Sequence, residues 1–145
     1  MCVLTEGRTR EGGGVRRETE KIIRFGTFNI RNGQNAGLEL ALFGMVQGQV
    51  DCGVFQEMKL TKGVYTQKSS GFWVMATEAP SAHRGGVAIF YHEAERFAIE
   101  DICLHEPNVI RFQLVTGRRW WDVVGCYIST INDSTIEDVS ETIRD

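Results

Sequence analysis

Asn29 and Glu57 carry side chains that could share one hard cation, an amide oxygen from the first and a carboxylate from the second. Mg²⁺ suits such a pair, because it takes few protein oxygens and keeps several of its waters. Position matters as much as residue type. Asn29 opens the turn-rich run Asn29-Ile30-Arg31-Asn32-Gly33, and Glu57 closes the apolar run Val54-Phe55-Gln56-Glu57. Each also has an ordinary structural explanation, since Asn favours turns and carboxylates are mostly exposed.

The elements that must position these two residues follow from apolar spacing. Residues 22–30 alternate loosely around Ile23, Phe25 and Phe28 and read as a strand. Residues 37–47 switch to helical spacing, with Leu38, Leu42, Met45 and Val46 on one stripe beside Ala41. Residues 50–56 are almost uniformly apolar, the signature of a strand covered on both faces. Strand, helix and strand in this order predict a βαβ unit. Its right-handed crossover brings the C-terminal ends of two parallel strands to one edge, roughly 4.8 Å apart if the strands are neighbours. Open α/β sheets place their ligand crevices at that edge.

Beyond Glu57 the pattern predicts strands at 72–77, 86–92, 97–104, 109–115 and 120–129. In the fourth of these, Ile110, Phe112 and Leu114 alternate with Arg111 and Gln113. Gly117-Arg118-Arg119 supplies a hairpin turn into the last strand, which is apolar on both faces and expected to be central. A helix is expected over 134–144, where Ser134 and Glu137 have capping-box spacing ahead of Ile136, Val139 and Ile143. Such a helix normally leads into another parallel strand, so the sequence reads as one that stops inside a βαβ unit. Residues 1–21 set Gly12-Gly13-Gly14 among many charges and read as a flexible leader.

Composition narrows the function classes. With 42% hydrophobic residues, 24% charged residues and 2 prolines in 145, the chain is not a disordered or Pro-rich linker. Its 16 basic and 19 acidic residues give −3, which excludes a strongly basic duplex-coating protein. No apolar run approaches the roughly 18 residues of a membrane span, so no membrane partner is expected. The charged N-terminus has no apolar signal-peptide core, and the reading is a non-secreted protein of nucleus or cytoplasm. Cys2, Cys52, Cys103 and Cys126 lie far apart without a CxxC pair, which points to buried free thiols in a reducing compartment. His83-Arg84 ahead of Gly85-Gly86 could meet a phosphate, although a tight surface turn explains it as well. Arg118-Arg119-Trp120-Trp121 has the look of a nucleic-acid stacking platform, but it coincides with a hairpin tip and the start of a buried strand.

Four segments occur in a telling order: Thr27-Phe28-Asn29-Ile30-Arg31-Asn32-Gly33, Val54-Phe55-Gln56-Glu57-Met58-Lys59-Leu60, Arg84-Gly85-Gly86-Val87-Ala88-Ile89-Phe90-Tyr91 and Val124-Gly125-Cys126-Tyr127-Ile128. In this order they resemble the endonuclease/exonuclease/phosphatase superfamily, above all the endonuclease domain of LINE-type (non-LTR) retrotransposons. The resemblance implies an α/β fold over residues 22–145. This would be half of a four-layer sandwich, with one mixed sheet, helices 37–47 and 134–144 on its outer face, and the second sheet missing. The uncovered sheet face would then favour self-association.

The resemblance also implies Mg²⁺-dependent hydrolysis of a DNA phosphodiester. Asn29 would serve at the phosphate and metal, Glu57 as the principal metal ligand, and Tyr127 at the scissile phosphate. The superfamily's later Gly-Asp-x-Asn and Ser-Asp-His motifs do not occur in residues 1–145, and Tyr127-Ile128-Ser129-Thr130 lacks the expected prolines. General acid–base groups contribute about 10²–10⁴-fold each, so a truncated, inactive copy is expected. The alternatives are a non-catalytic remnant or interaction module and, within the superfamily, a phosphatase.

Overall fold

The computed structural model describes residues 1–7, 22–34, 36–68, 70–94 and 96–128, with backbone alone at 64, 65, 67 and 105. Among them lie nine strands and one helix: β1 Cys2–Glu6, β2 Phe25–Asn29, α1 Gly37–Gln47, β3 Cys52–Gln56, β4 Val64–Gln67, β5 Trp73–Ala76, β6 Val87–Tyr91, β7 Ala98–Glu106, β8 Val109–Thr116 and β9 Arg119–Cys126. The helix has the range its spacing predicts. The strand expected over 120–129 ends at Cys126, and the helix expected over 134–144 lies outside the described residues.

The strands form two sheets. The first has the order β2-β3-β6-β5-β4 and is mixed, with β2 parallel to β3 and the remaining pairs antiparallel. The second, β1-β9-β8-β7, is antiparallel throughout. Alternation decides which side chains meet between them. Cys52, Val54, Val87 and Ile89 of the first sheet pack with Ile110, Phe112, Leu114 and Val123 of the second in one buried cluster. On the other side of the first sheet, Phe55, Val74, Ala88 and Phe90 pack with Leu38, Ala41 and Leu42 of α1. All five residues of β3 are therefore buried.

This arrangement corrects the expected fold class. The protein is a mostly-β sandwich of two sheets with one short helix, not an α/β half-sandwich lacking its second sheet. β3 is apolar on both faces because α1 covers one and the layer built by β9, β8 and β7 covers the other. β9 instead turns Trp121 and Val123 inward, and Val124 and Cys126 outward into a separate small cluster with Val109 and Ile128. The expected open sheet face is consequently filled, and self-association through it has no surface to use. Cys2–Glu6, read from composition as leader, forms an edge strand on β9, with Cys2 opposite Gly125 and Glu6 opposite Trp121. That edge makes β9 an interior strand, as its apolar faces suggest.

Two outcomes are less tidy. Val46, placed on the buried stripe of α1 by spacing, is substantially exposed, and Leu40 and Phe43 face outward. The four cysteines are free thiols, as expected, but of these Cys52 and Cys126 are buried while Cys2 and Cys103 are only half-buried.

Candidate functional site

The parallel register sets Asn29 opposite Gln56, one residue before Glu57. Both residues therefore stand at the C-terminal edge of the β2–β3 pair. The loops leaving the two strands are laced together at this rim. Ile30 N donates to Gln56 O (3.0 Å), Gly33 N to Met58 O (2.9 Å) and Gln34 Nε2 to Lys59 O (2.8 Å).

Two further segments reach the same rim because their strands run antiparallel to β3 or lie over it. The residues preceding β6 arrive at the end of β3, where Met58 N donates to Gly86 O (3.1 Å) and Lys59 N to Gly85 O (2.8 Å). From the second sheet, β9 passes close over β3. A Cβ on Gly125 would stand 2.4 Å from Val54 Cγ1, so only glycine permits this approach. Two residues later the chain delivers Tyr127, whose phenol hydrogen-bonds the Glu57 side chain.

The electrostatics of that contact are coherent. Burial pushes the Tyr127 phenol above its usual pKa, and the hydrogen bond to Glu57 and the Glu57 charge push it further, while the nearby Arg84 cation opposes them. The phenol thus stays protonated and donates. Glu57 also lies 3.7 Å from Lys59 Nζ, with its side chain 21% exposed. Asn29 is exposed, and its Oδ1 accepts from Arg31 N at 2.9 Å in a local turn. The structure thus joins Glu57 to Tyr127 directly and puts Asn29 on the same edge, its side chain engaged by its own backbone.

Backbone strain gathers at this rim. Arg31, Glu57 and Lys59 have φ of 62°, 55° and 55°, a left-handed conformation unusual for residues other than glycine. Such strain costs about 1–3 kcal/mol per residue and is concentrated at functional sites. Arg84 and Asn108 complete the rim. The first lies in the His83-Arg84-Gly85-Gly86 segment, whose sequence suits either a phosphate contact or a tight turn, and the second carries no sequence signal. Asn108 Oδ1 accepts from Gly86 N (3.0 Å) and its carbonyl accepts from Tyr127 N (2.9 Å), so one residue of the second sheet locates both segments.

Other candidates resolve as structure. Arg118 and Arg119 are exposed at the β8–β9 hairpin, while Trp121 packs partly into the inter-sheet core. Asp122 lies 3.7 Å from Arg111 on the neighbouring strand. A shallow pocket of about 240 Å³ opens at the opposite end of β2 and β3, lined by Arg24, Asp51, His92 and Arg96 among others. Its one carboxylate is already engaged, because Asp51 accepts from Arg24 N at 2.8 Å and pairs with Arg96. No helix among the described residues is long and apolar enough to cross a membrane.

Among the described residues no three His, Cys, Asp or Glu side chains converge on a metal-sized site. Glu57 is the carboxylate of the rim and Asn29 an added hard oxygen. That donor set fits Mg²⁺ only in the manner of sites that borrow ligands from water and a substrate phosphate. The fold and site together define a two-sheet β-sandwich with a strained polar rim at one end. Neither a family model nor a curated protein matches the chain.

Proposed function

We propose that the rim formed by Asn29, Glu57 and Tyr127 is a phosphodiester-binding site of the metal-dependent endonuclease type. The observation that carries this reading is the meeting of Glu57 and Tyr127, from different sheets, on the edge where Asn29 ends β2. Glu57, with Asn29, would hold Mg²⁺, which when bound offsets negative charge on a phosphate and its leaving oxygen. The protonated phenol of Tyr127 donates a hydrogen bond without adding negative charge to an already anionic group. In the absence of a ligand the Glu57 carboxylate accepts a hydrogen bond from that phenol and so keeps the ring aimed at the rim. Asn29 presents an amide, neutral and able to face a phosphate oxygen.

Residues 1–145 contain no Asp-x-Asn and no Ser-Asp-His. The rim therefore has Glu57 as its carboxylate without the activating Asp or the phosphate-facing His of those motifs, and the reading for it is binding with turnover close to nothing. The test is nicking of supercoiled plasmid DNA in Mg²⁺ by the wild type and Glu57→Ala. Slow nicking that disappears in the variant supports the reading. Equal nicking by both removes Glu57 from the chemistry. No nicking by either assigns the chain to the non-catalytic alternative, a phosphate-binding remnant or interaction module.

A further inference from the structure

The rim carries more positive than negative charge close to Tyr127. Lys59 flanks Glu57, and Arg84 stands exposed on the segment that enters β6. Arg84, like Arg24, Arg31 and Lys62, forms an ion pair with no carboxylate of the described residues. Its backbone is held with unusual care for a surface turn. His83 N donates to Ser81 Oγ (3.2 Å), and Arg84 forms a short antiparallel bridge with Ser81. Gly85 and Gly86 follow at φ 74° and 87°, a left-handed pair that side chains disfavour. The two are then pinned from both sheets, by Met58 N and Lys59 N on their carbonyls and by Asn108 Oδ1 on Gly86 N. A Cβ on Gly85 would lie 2.3 Å from that same Oδ1.

An exposed guanidinium carried on a pinned backbone turn, near a hydrogen-bond donor, suits phosphate, since its fork of donors matches two phosphate oxygens. We propose that Arg84 is the phosphate-binding cation of this site, that it acts without a metal, and that Asn108 is the residue positioning it. The ligand class is the phosphodiester backbone of duplex DNA. This rests on the reading that the rim meets a phosphodiester, and adds that the affinity resides in Arg84 rather than in a cation held by Glu57. The two claims differ in sign at one residue. If phosphate is held through a metal, neutralising Glu57 weakens binding. If Arg84 holds it directly, the Glu57 carboxylate repels phosphate, and neutralising it strengthens binding.

The experiment is fluorescence anisotropy of a fluorescein-labelled 20-base-pair duplex in EDTA, across a salt series, with the full chain. Arg84→Gln is expected to weaken binding about ten- to hundredfold, the range for one charge-assisted contact. The slope of log K against log salt should flatten by about 0.9, one phosphate's worth. Arg84→Lys should recover the slope and part of the affinity. Asn108→Ala should weaken binding while leaving the slope near wild type, which mere loss of stability would not do in a folded sample. Glu57→Gln should tighten binding several-fold. Arg24→Gln, the same charge change at the opposite end of β2, should lose no more than a surface charge removed from the contact. Equal affinity and slope for wild type and Arg84→Gln would overturn the proposal, as would the absence of duplex binding in EDTA. Mg²⁺-dependent nicking that needs Glu57, together with an inert Arg84→Gln, would leave the endonuclease reading standing and refute this one alone.

Discussion

Replacing Asn108 with Ala tests whether a single amide oxygen holds the rim together. In the native protein Asn108 Oδ1 accepts from Gly86 N at 3.0 Å, and Gly86 is buried between Ala79, Met58 and Lys59. Alanine removes the acceptor of an N–H on a buried residue. Stranding a buried donor costs about 1–3 kcal/mol, which for a domain of this size lowers the melting temperature by roughly 3–10 °C. Asn108→Asp retains an oxygen at the same place and should recover most of the loss. The carbonyl of Asn108, which accepts from Tyr127 N, survives both changes, so the Tyr127 segment stays anchored. Circular dichroism melts of the three proteins at one pH and salt give the comparison. Losses under about 0.5 kcal/mol in Asn108→Ala, or an Asp variant no better than Ala, would show that this oxygen does not restrain the Gly85–Gly86 turn.

Two other expectations concern charge and strain. Burial, and then the nearby Cys2 thiol, push Cys52 from an ordinary value near 9 up to about 12. The folded protein therefore keeps a proton that the unfolded chain releases. Stability from this group is intact below about pH 9 and falls as pH rises toward 12, by on the order of 4 kcal/mol at the end. Urea midpoints measured from pH 8 to 11 should decline less steeply in Cys52→Ala than in wild type, and parallel profiles would refute the assignment. At Glu57 the left-handed φ of 55° is a cost that glycine avoids. Glu57→Gly should unfold at a higher denaturant concentration than Glu57→Gln, by about 1 kcal/mol, although both lose the carboxylate. The reverse order would mean that the backbone there is not strained.

Periodicity revealed individual elements better than their assembly. The helix over 37–47 was legible because Leu38, Ala41 and Leu42 recur at helical spacing, and all three are buried. The alternation of β8 was equally plain, with Ile110, Phe112 and Leu114 inward. An apolar strand face announces that something covers it but not what. The missing second layer came with the family resemblance. In the structure the sheets of β3 and β9 cover one face of each other, α1 covers the other face of β3, and Val124 and Cys126 on the outer face of β9 join a separate small cluster. β1 escaped notice because Gly12-Gly13-Gly14 and the surrounding charges dominated its neighbourhood, and its pairing partner lies at the far end of the sequence. The short edge strand β4 has too few apolar residues to stand out.

The rim was legible to the same extent. Asn29 and Glu57 follow from the βαβ pattern alone, because parallel neighbours end on one edge. The meeting of Tyr127 with Glu57 depends on the close crossing at Gly125, a contact between sheets that no local spacing encodes. Arg84 was visible as a turn residue, since the Gly85-Gly86 pair marks a turn. That this turn is tied to β3 through Met58 and Lys59, and to the second sheet through Asn108, is a property of the packed molecule.

The central claim is that a phenol from one sheet and a carboxylate from the other share the rim. Selective ¹³C labelling of tyrosine ring carbons, with Tyr127→Phe to identify the resonance, follows the ionisation of Tyr127 directly. In the wild type Tyr127 should titrate above the usual value of 10. In Glu57→Gln its midpoint should fall, because a repelling charge and the acceptor that favours the neutral phenol are weakened together. In Arg84→Gln it should rise, because the one opposing cation is gone. A Tyr127 midpoint that moves in neither variant would place the three side chains apart and contradict the account.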